Sequence, residues 1–189
     1  LIPHLRDAQR KEVYKYMHLK CNIKGEYSHP KYIGLKDFIL DLETDELLPY
    51  NPRFIIQNKI NYNYNPNAYH ELLDKTLDKV VCHDKELRLL LEEMIGYTLY
   101  RANTMQKGFI LTGSGANGKS TILNLIKKLL GEENYTAMSI QELEKTFEPA
   151  ELHNKLANIG DDISAKYLEK SSNFKKAVTG ETFLVQQKF

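Results

Sequence analysis

The sequence predicts an α/β chain in two parts, a mostly helical module with a β-hairpin over residues 1–104 and a parallel-sheet domain over residues 105–189. Three observations carry that reading. Apolar residues recur at helical spacing between Tyr69 and Thr98, a strand-like alternation runs from Phe38 to Leu42, and an apolar run at Gly108–Thr112 feeds a glycine-rich turn followed by a helix with one apolar face. The 189 residues carry 26 Lys+Arg against 25 Asp+Glu, a net charge of +1, with 42% hydrophobic and 27% charged residues. That balance belongs to a globular protein, not a disordered or fibrous one. No apolar run approaches the roughly 18 residues a membrane span needs. Near-neutral charge also removes a global positive field, so any nucleic-acid contact must come from local basic groups.

Taken in order, DAQRKEVYKYMHL from Asp7 to Leu19 reads as a short amphipathic helix with Val13, Tyr16 and Met17 on one side. YIGLKDFILDLETDELLPY breaks at Thr44-Asp45, the pattern of two strands and a tight turn, closed by Pro49 and Pro52. Tyr62 and Tyr64 lie among asparagines; bases could stack on them, but the preferred reading packs them on neighbouring helices. Asn65-Pro66 fits an N-cap and first helical position, followed by Tyr69, Leu72, Leu73, Leu77 and Val80. Asp84 can cap a second helix, with Leu87, Leu90, Leu91, Met94 and Thr98 as its inward stripe. The grammar changes near Ala102-Asn103-Thr104, which sets the boundary between the two parts.

Cys21 and Cys82 form no C-x-x-C pair, and the six histidines show no metal-ligand spacing, so a zinc site is not expected and a reducing, intracellular compartment is. The chain begins at Leu1 with no signal-peptide pattern, which reads as a piece of something longer.

The run Gly108–Thr112 is read as a strand leading into Gly113, Ser114, Gly115, Ala116, Asn117, Gly118, Lys119, Ser120 and Thr121, which is G-x-x-x-x-G-K-[ST]. Glycines let successive backbone N–H groups converge on phosphate oxygens at a helix N-terminus. Lys119 adds positive charge at the β- and γ-phosphates, and the Ser120 hydroxyl can ligate Mg²⁺. Ile122, Leu123, Leu125, Ile126, Leu129 and Leu130 give the next helix an apolar face to lay on the sheet, and Gly131 ends it. Gly113, Gly115 and Gly118 also spell the dinucleotide fingerprint G-x-G-x-x-G, but that reading wants an acid closing the second strand, and Glu132 and Glu133 precede that strand.

The second strand is expected at Tyr135–Met138, then a capping box from Ser139 to Glu142 opening a short helix that reaches Phe147. The segment from Lys155 to Gly160 reads as a buried strand ending in Asp161 and Asp162, at the edge where parallel sheets bind ligands. Asp161 is assigned to Mg²⁺ and Asp162 to the attacking water, which with Lys119 makes up the catalytic set of a nucleoside-triphosphate hydrolase.

With these motifs placed, the sequence resembles the superfamily-three replicative helicases, in particular the primase-helicases of phages, plasmids and poxvirus-type DNA viruses. GSGANGKST, LANIGDD and NFKKAVTGETFLVQQKF match three of that family's landmarks, and residues from Tyr32 to Tyr100 resemble the module preceding its motor. The resemblance implies an AAA+-like P-loop NTPase core that is incomplete at its C-terminus, and an ATP- and Mg²⁺-dependent hexameric DNA helicase acting in replication of a phage, plasmid or other mobile element. Its implied partner is single-stranded or forked DNA and no membrane, and its compartment the cytoplasm, that of a bacterial host if phage or plasmid encoded. In the third motif Gly180 matches the glycine before a channel hairpin; Lys188 falls at the basic tip and, with Lys176, is the candidate DNA contact, while Phe189 stands where a histidine is found in papillomavirus-type members. The family's next strand, ending in an asparagine, and a later arginine would lie past Phe189. That strand sits between the phosphate-loop strand and the acidic strand, so these residues alone are expected to turn over ATP weakly or not at all. Two other classes fit the loop: a non-motor ATP-dependent module assembling on DNA, and a small-molecule kinase, although no arginine-rich lid follows, since Arg101 is the last arginine.

Overall fold

A computed structural model describes residues 6–20, 27–160, 171–182 and 184–185. The elements are α1 (Asp7–Lys20), β1 (Tyr32–Gly34), β2 (Phe38–Asp41), β3 (Glu46–Pro49), α2 (Glu71–Val80), α3 (Lys85–Tyr97), α4 (Lys119–Leu130), β4 (Tyr135–Thr136), α5 (Ile140–Leu143), β5 (Ala157–Asn158) and α6 (Ser172–Thr179), with short 3-10 turns at Glu132–Asn134 and Glu148–Leu152. The result is a mixed α/β chain in which the described residues form a three-stranded antiparallel sheet where a hairpin was expected and a parallel sheet of only two strands.

The hairpin forms at Thr44-Asp45 as the alternation required, with Ile39 opposite Leu48 and Asp41 opposite Glu46. It gains a third antiparallel strand, β1, and residues 59–62 run alongside that strand through Ile60 N to Gly34 O (2.8 Å) and Lys36 N to Tyr62 O (3.1 Å). Ile39 is fully buried. Inside this sheet Asp41 is buried, and its carboxyl is held below its ordinary range by the Glu43 N–H and by Lys31, 3.2 Å away.

Helix α2 starts later than its sequence pattern suggested. Asn65 does not cap a helix; its side chain accepts from Asn67 N (3.0 Å) and closes a turn, a conformation Asn-Pro favours equally well. His70 is the N-cap, accepting from Leu73 N at 3.4 Å. Asp84 caps α3 as expected, accepting from Glu86 N and Leu87 N at 2.9 and 3.0 Å. The apolar stripes are narrower than their periodicity implied: Leu77, Leu91 and Met94 are buried, whereas Leu72, Leu87 and Leu90 are exposed. Arg88 fastens the two helices, donating to the carboxylates of Asp74 (2.8 Å), Asp78 (2.6 Å) and Glu92 (2.7 Å). Helix α1 buries none of its residues, and Tyr62 and Tyr64 are exposed rather than packed on helices.

One apolar cluster runs through both parts of the chain. Ile122, Ile126 and Leu130 on α4 join Leu77, Leu91 and Met94 on α2 and α3, Ile33, Leu40 and Ile60 of the first sheet, and Ile159 after β5. Helix α4, which follows the glycine-rich loop, therefore packs with α2 and α3 as well as beside the small parallel sheet. A polar knot joins the same parts. Buried Asn134 donates to Leu130 O (2.8 Å) and Lys59 O (2.9 Å) and accepts from Asn58 Nδ2 (3.1 Å), which also donates to Asn154 O (2.8 Å).

Strand Tyr135–Met138 is observed as the shorter β4, paired in parallel with β5 through Tyr135–Ala157 and Thr136–Asn158. The ladder continues by one bond, Ile159 N to Thr136 O at 2.7 Å. The expected strand Gly108–Thr112 does not form. These residues have no ladder partner among the described residues, and Phe109 and Ile110 are exposed. The Ser139–Glu142 capping box is complete, but α5 ends at Leu143 and not at Phe147.

Candidate nucleotide site

The loop from Gly113 to Gly118 enters α4 through Gly118, whose φ of 85° lies in the left-handed region. A Cβ there would fall 2.6 Å from Val80 Cγ2, so glycine is required both by the backbone turn and by the close approach of α2. Gly115 and Ala116 are also left-handed, at φ 46° and 50°. This succession of turns leaves the first turn of α4 with no side-chain cap, so its N–H groups are available to an anion. A concavity of about 280 Å³ opens here, lined by Ala116, Asn117, Gly118, Lys119, Ser120 and Thr121. The seating of α4 follows from sequence: Ile122, Ile126 and Leu130 are spaced to lie on one face, and Gly131 terminates the helix with its N–H on Lys127 O (3.0 Å).

Lys119 curls back over the loop. Its ammonium donates to Gly113 O at 3.1 Å and to Asn117 Oδ1 at 2.8 Å. Ser120 and Thr121 are exposed on the first turn. The loop thus gathers one cation, two hydroxyls and unpaired helix N–H groups around one small space, the donor set a phosphate chain needs. A second concavity of about 320 Å³, at the α2–α3 corner, is lined by Asp78, His83, Asp84, Lys85 and Arg88. It does not suit a phosphate, because its arginine is already engaged by carboxylates.

Among the sequence-predicted residues, Gly113–Gly118 form the loop and Lys119, Ser120 and Thr121 the first turn of α4. Asp161 and Asp162 lie outside the described residues, as do Lys188 and Phe189; β5 ends at Asn158, and Ile159 and Gly160 are the last described residues before the two acids in the sequence. Lys176 is half-buried in the last turn of α6. That helix is pinned at both ends. Glu144 Oε1 accepts from Phe174 N (2.9 Å) and Asn173 Nδ2 donates to Leu143 O (2.9 Å), while at the other end Asn103 Nδ2 donates to Ala177 O (2.9 Å) and to Val178 O. Asn103 in turn accepts from the Tyr97 hydroxyl at 2.6 Å, and Tyr97 meets Phe109 edge-on at 6.5 Å between ring centres. Sequence reasoning missed the bonds of Asn103 to α6 and of Asn134 to Lys59 and Asn58, and the contact of Val80 with Gly118, all between residues remote in the chain. No described helix is long and apolar enough to cross a membrane.

Comparison with known proteins agrees with part of this. Residues 1–82 match the family described as D5 N terminal like, and residues 111–189 match a family of unknown function, DUF5906. Over 114 residues the chain is 31% identical to a protein of Acanthamoeba polyphaga mimivirus named "Putative helicase L207/L206"; the aligned stretch is 59% of this chain and 12% of that protein. The chain therefore spans a small fraction of the length of the relative it matches. Its likeness is to viral, helicase-like sequence, carried by the first 82 residues and by this relative.

Proposed function

We propose that this chain is the nucleotide-binding portion of an ATP-dependent DNA helicase or translocase acting in replication of a phage, virus, plasmid or other mobile element. The observation that carries the reading is the Gly113–Thr121 loop: a left-handed Gly118 turns the chain into an uncapped helix, with the Lys119 ammonium folded over the same space. The match of the first 82 residues and the mimivirus relative support placing that loop in a replicative motor.

In this reading the α4 N–H groups and Lys119 bind the β- and γ-phosphates and spread the charge that develops during transfer. Ser120 and Asp161 would hold Mg²⁺, which supplies Lewis-acid charge neutralisation at the phosphates. Asp162 would orient the water in line with the scissile bond. Residues 1–104 form a module that precedes the motor domain of residues 105–189, with Val80 pressed on Gly118 as the point where module and loop touch. Lys176 and Lys188 would contact the strand of DNA, and the working assembly would be a hexamer with sites between subunits.

The test is ATP hydrolysis, with and without single-stranded DNA, in the longer product expected to contain this chain, beside Lys119→Ala and Lys188→Ala. A DNA-stimulated rate that both substitutions abolish is the expected result. Hydrolysis that needs Lys119 and ignores DNA would keep the nucleotide site and remove the helicase; stimulation by nucleosides would replace it with a kinase.

A further inference from the structure

The phosphate-loop pattern fixes the residues at its ends and leaves position 117 free, yet in the structure this side chain makes the shortest contact to the loop's lysine. Asn117 Oδ1 accepts from Lys119 Nζ at 2.8 Å, against 3.1 Å for Gly113 O. The amide is itself seated by the first glycine of the loop: a Cβ on Gly113 would overlap Asn117 Nδ2 and fall 2.9 Å from its Cγ, so the amide nitrogen end occupies the space left by the missing Gly113 side chain. Any residue with a side chain at 113 would expel it. Gly113 therefore gives Asn117 its seat and gives Lys119 a carbonyl, and the three residues close on one another. The amide orientation follows from chemistry, since only the oxygen can accept from an ammonium.

We propose that Asn117 is a positioning residue for Lys119, its side-chain oxygen and the Gly113 carbonyl together holding the ammonium over the loop with one proton left for a phosphate oxygen. This rests on the nucleotide-binding reading of the loop. A lysine has a long, rotamer-rich side chain, and ordering it at the moment of binding weakens binding by the cost of that ordering. Two acceptors already in place move the cost out of the binding step. An ammonium has three donors, and two are used by neutral acceptors that do not cancel its charge. An aspartate at 117 would instead neutralise the lysine and set an anion beside the phosphates, so the neutral amide is the appropriate group.

The test uses this chain, titrated in Mg²⁺ with an ATP analogue that carries a fluorescent group on the ribose, and read in parallel by acylation of Lys119 with an amine-reactive reagent. Peptide mass spectrometry scores that acylation against Lys128 of the same helix. Asn117→Ala is expected to weaken nucleotide binding about tenfold, the loss of one hydrogen bond to a charged group, and to raise Lys119 labelling severalfold. Asn117→Asp is expected to weaken binding by about a hundredfold while lowering Lys119 labelling, because the new carboxylate holds the ammonium. The opposite directions of labelling with the same direction of binding separate a hold on Lys119 from general damage to the loop, which would raise labelling in both variants. Binding that is lost in Lys119→Ala but unchanged or tighter in Asn117→Ala overturns the inference alone. A wild-type chain that binds no nucleotide removes the proposed function and this inference with it.

Discussion

Replacing Asn134 by alanine tests whether the two halves of the molecule are fastened where the structure fastens them. The Asn134 amide donates to Leu130 O and Lys59 O and accepts from Asn58, and the residue is only 4% exposed. Alanine leaves the two carbonyls without those donors in a site water scarcely reaches. Asn58 keeps its bond to Asn154 O, so its loss is smaller. At about 1 kcal/mol for each bond, and somewhat more where a buried partner is stranded, the cost is about 2–4 kcal/mol. With a urea slope of about 2 kcal/mol per molar, the unfolding midpoint should fall by about 1–2 M. Far-ultraviolet circular dichroism is the appropriate probe, since the chain has no tryptophan. Asn134→Asp should be at least as damaging, because it turns two donors into an anionic oxygen facing two carbonyls. A midpoint shift below about 0.3 M for alanine, or a neutral aspartate, would refute the assigned bonding.

Other consequences are as specific. Gly118→Ala puts a Cβ in a left-handed residue and against Val80, and should cost about 1–3 kcal/mol of stability and impair nucleotide binding; Val80→Ala in the same chain should restore part of the stability but not all, because the φ strain remains, as urea titration will show. Asn103→Ala should speed amide exchange at the C-terminal end of α6 relative to α3, read by hydrogen-exchange mass spectrometry, since Ala177 O and Val178 O lose their shared donor. The Glu142 carboxyl is held below its ordinary value of 4.5 by the Ser139 N–H and hydroxyl. A lowered carboxyl stabilises the fold above its unfolded pKa, and the gain is lost as pH falls through the folded value. Glu142→Gln should therefore destabilise the chain at pH 7 and approach wild type near pH 3, a convergence that denaturation at the two pH values would reveal.

The legible parts of this molecule were those whose cause is local. Asp84 before an apolar periodicity, Ser139 with Glu142 three residues on, and Gly131 after Leu130 each name a helix end within a few residues of chain, and each is where the structure puts it. The turn into α4 was equally legible, because a glycine just before an apolar helical periodicity marks a backbone that must pass through the left-handed region, as Gly118 does. Errors arose where a local pattern has two outcomes. Asn65-Pro66 can open a helix or a turn, and the side-chain bond to Asn67 N decides for the turn. Leu87 and Leu90 have the spacing of a core face, but burial depends on what is packed opposite. The run Gly108–Thr112 has strand composition and no ladder partner among the described residues, and a strand is a property of two chains of backbone rather than one. The bonds of Asn134 to Lys59 O and Asn58, the bonds of Asn103 to α6, and the contact of Val80 with Gly118 carried no local signal, since those partners lie many residues away.

The central claim, that the Gly113–Thr121 loop binds a nucleoside triphosphate through Lys119, is tested most directly by thermal unfolding of this chain with and without Mg-ATP. A ligand at a hundredfold its dissociation constant stabilises the native state by about 2.7 kcal/mol, which for a chain of this size raises the midpoint by about 5–10 °C. The account predicts that rise in the wild-type chain and its loss in Lys119→Ala. An equal rise in both, or no rise in either, would contradict it.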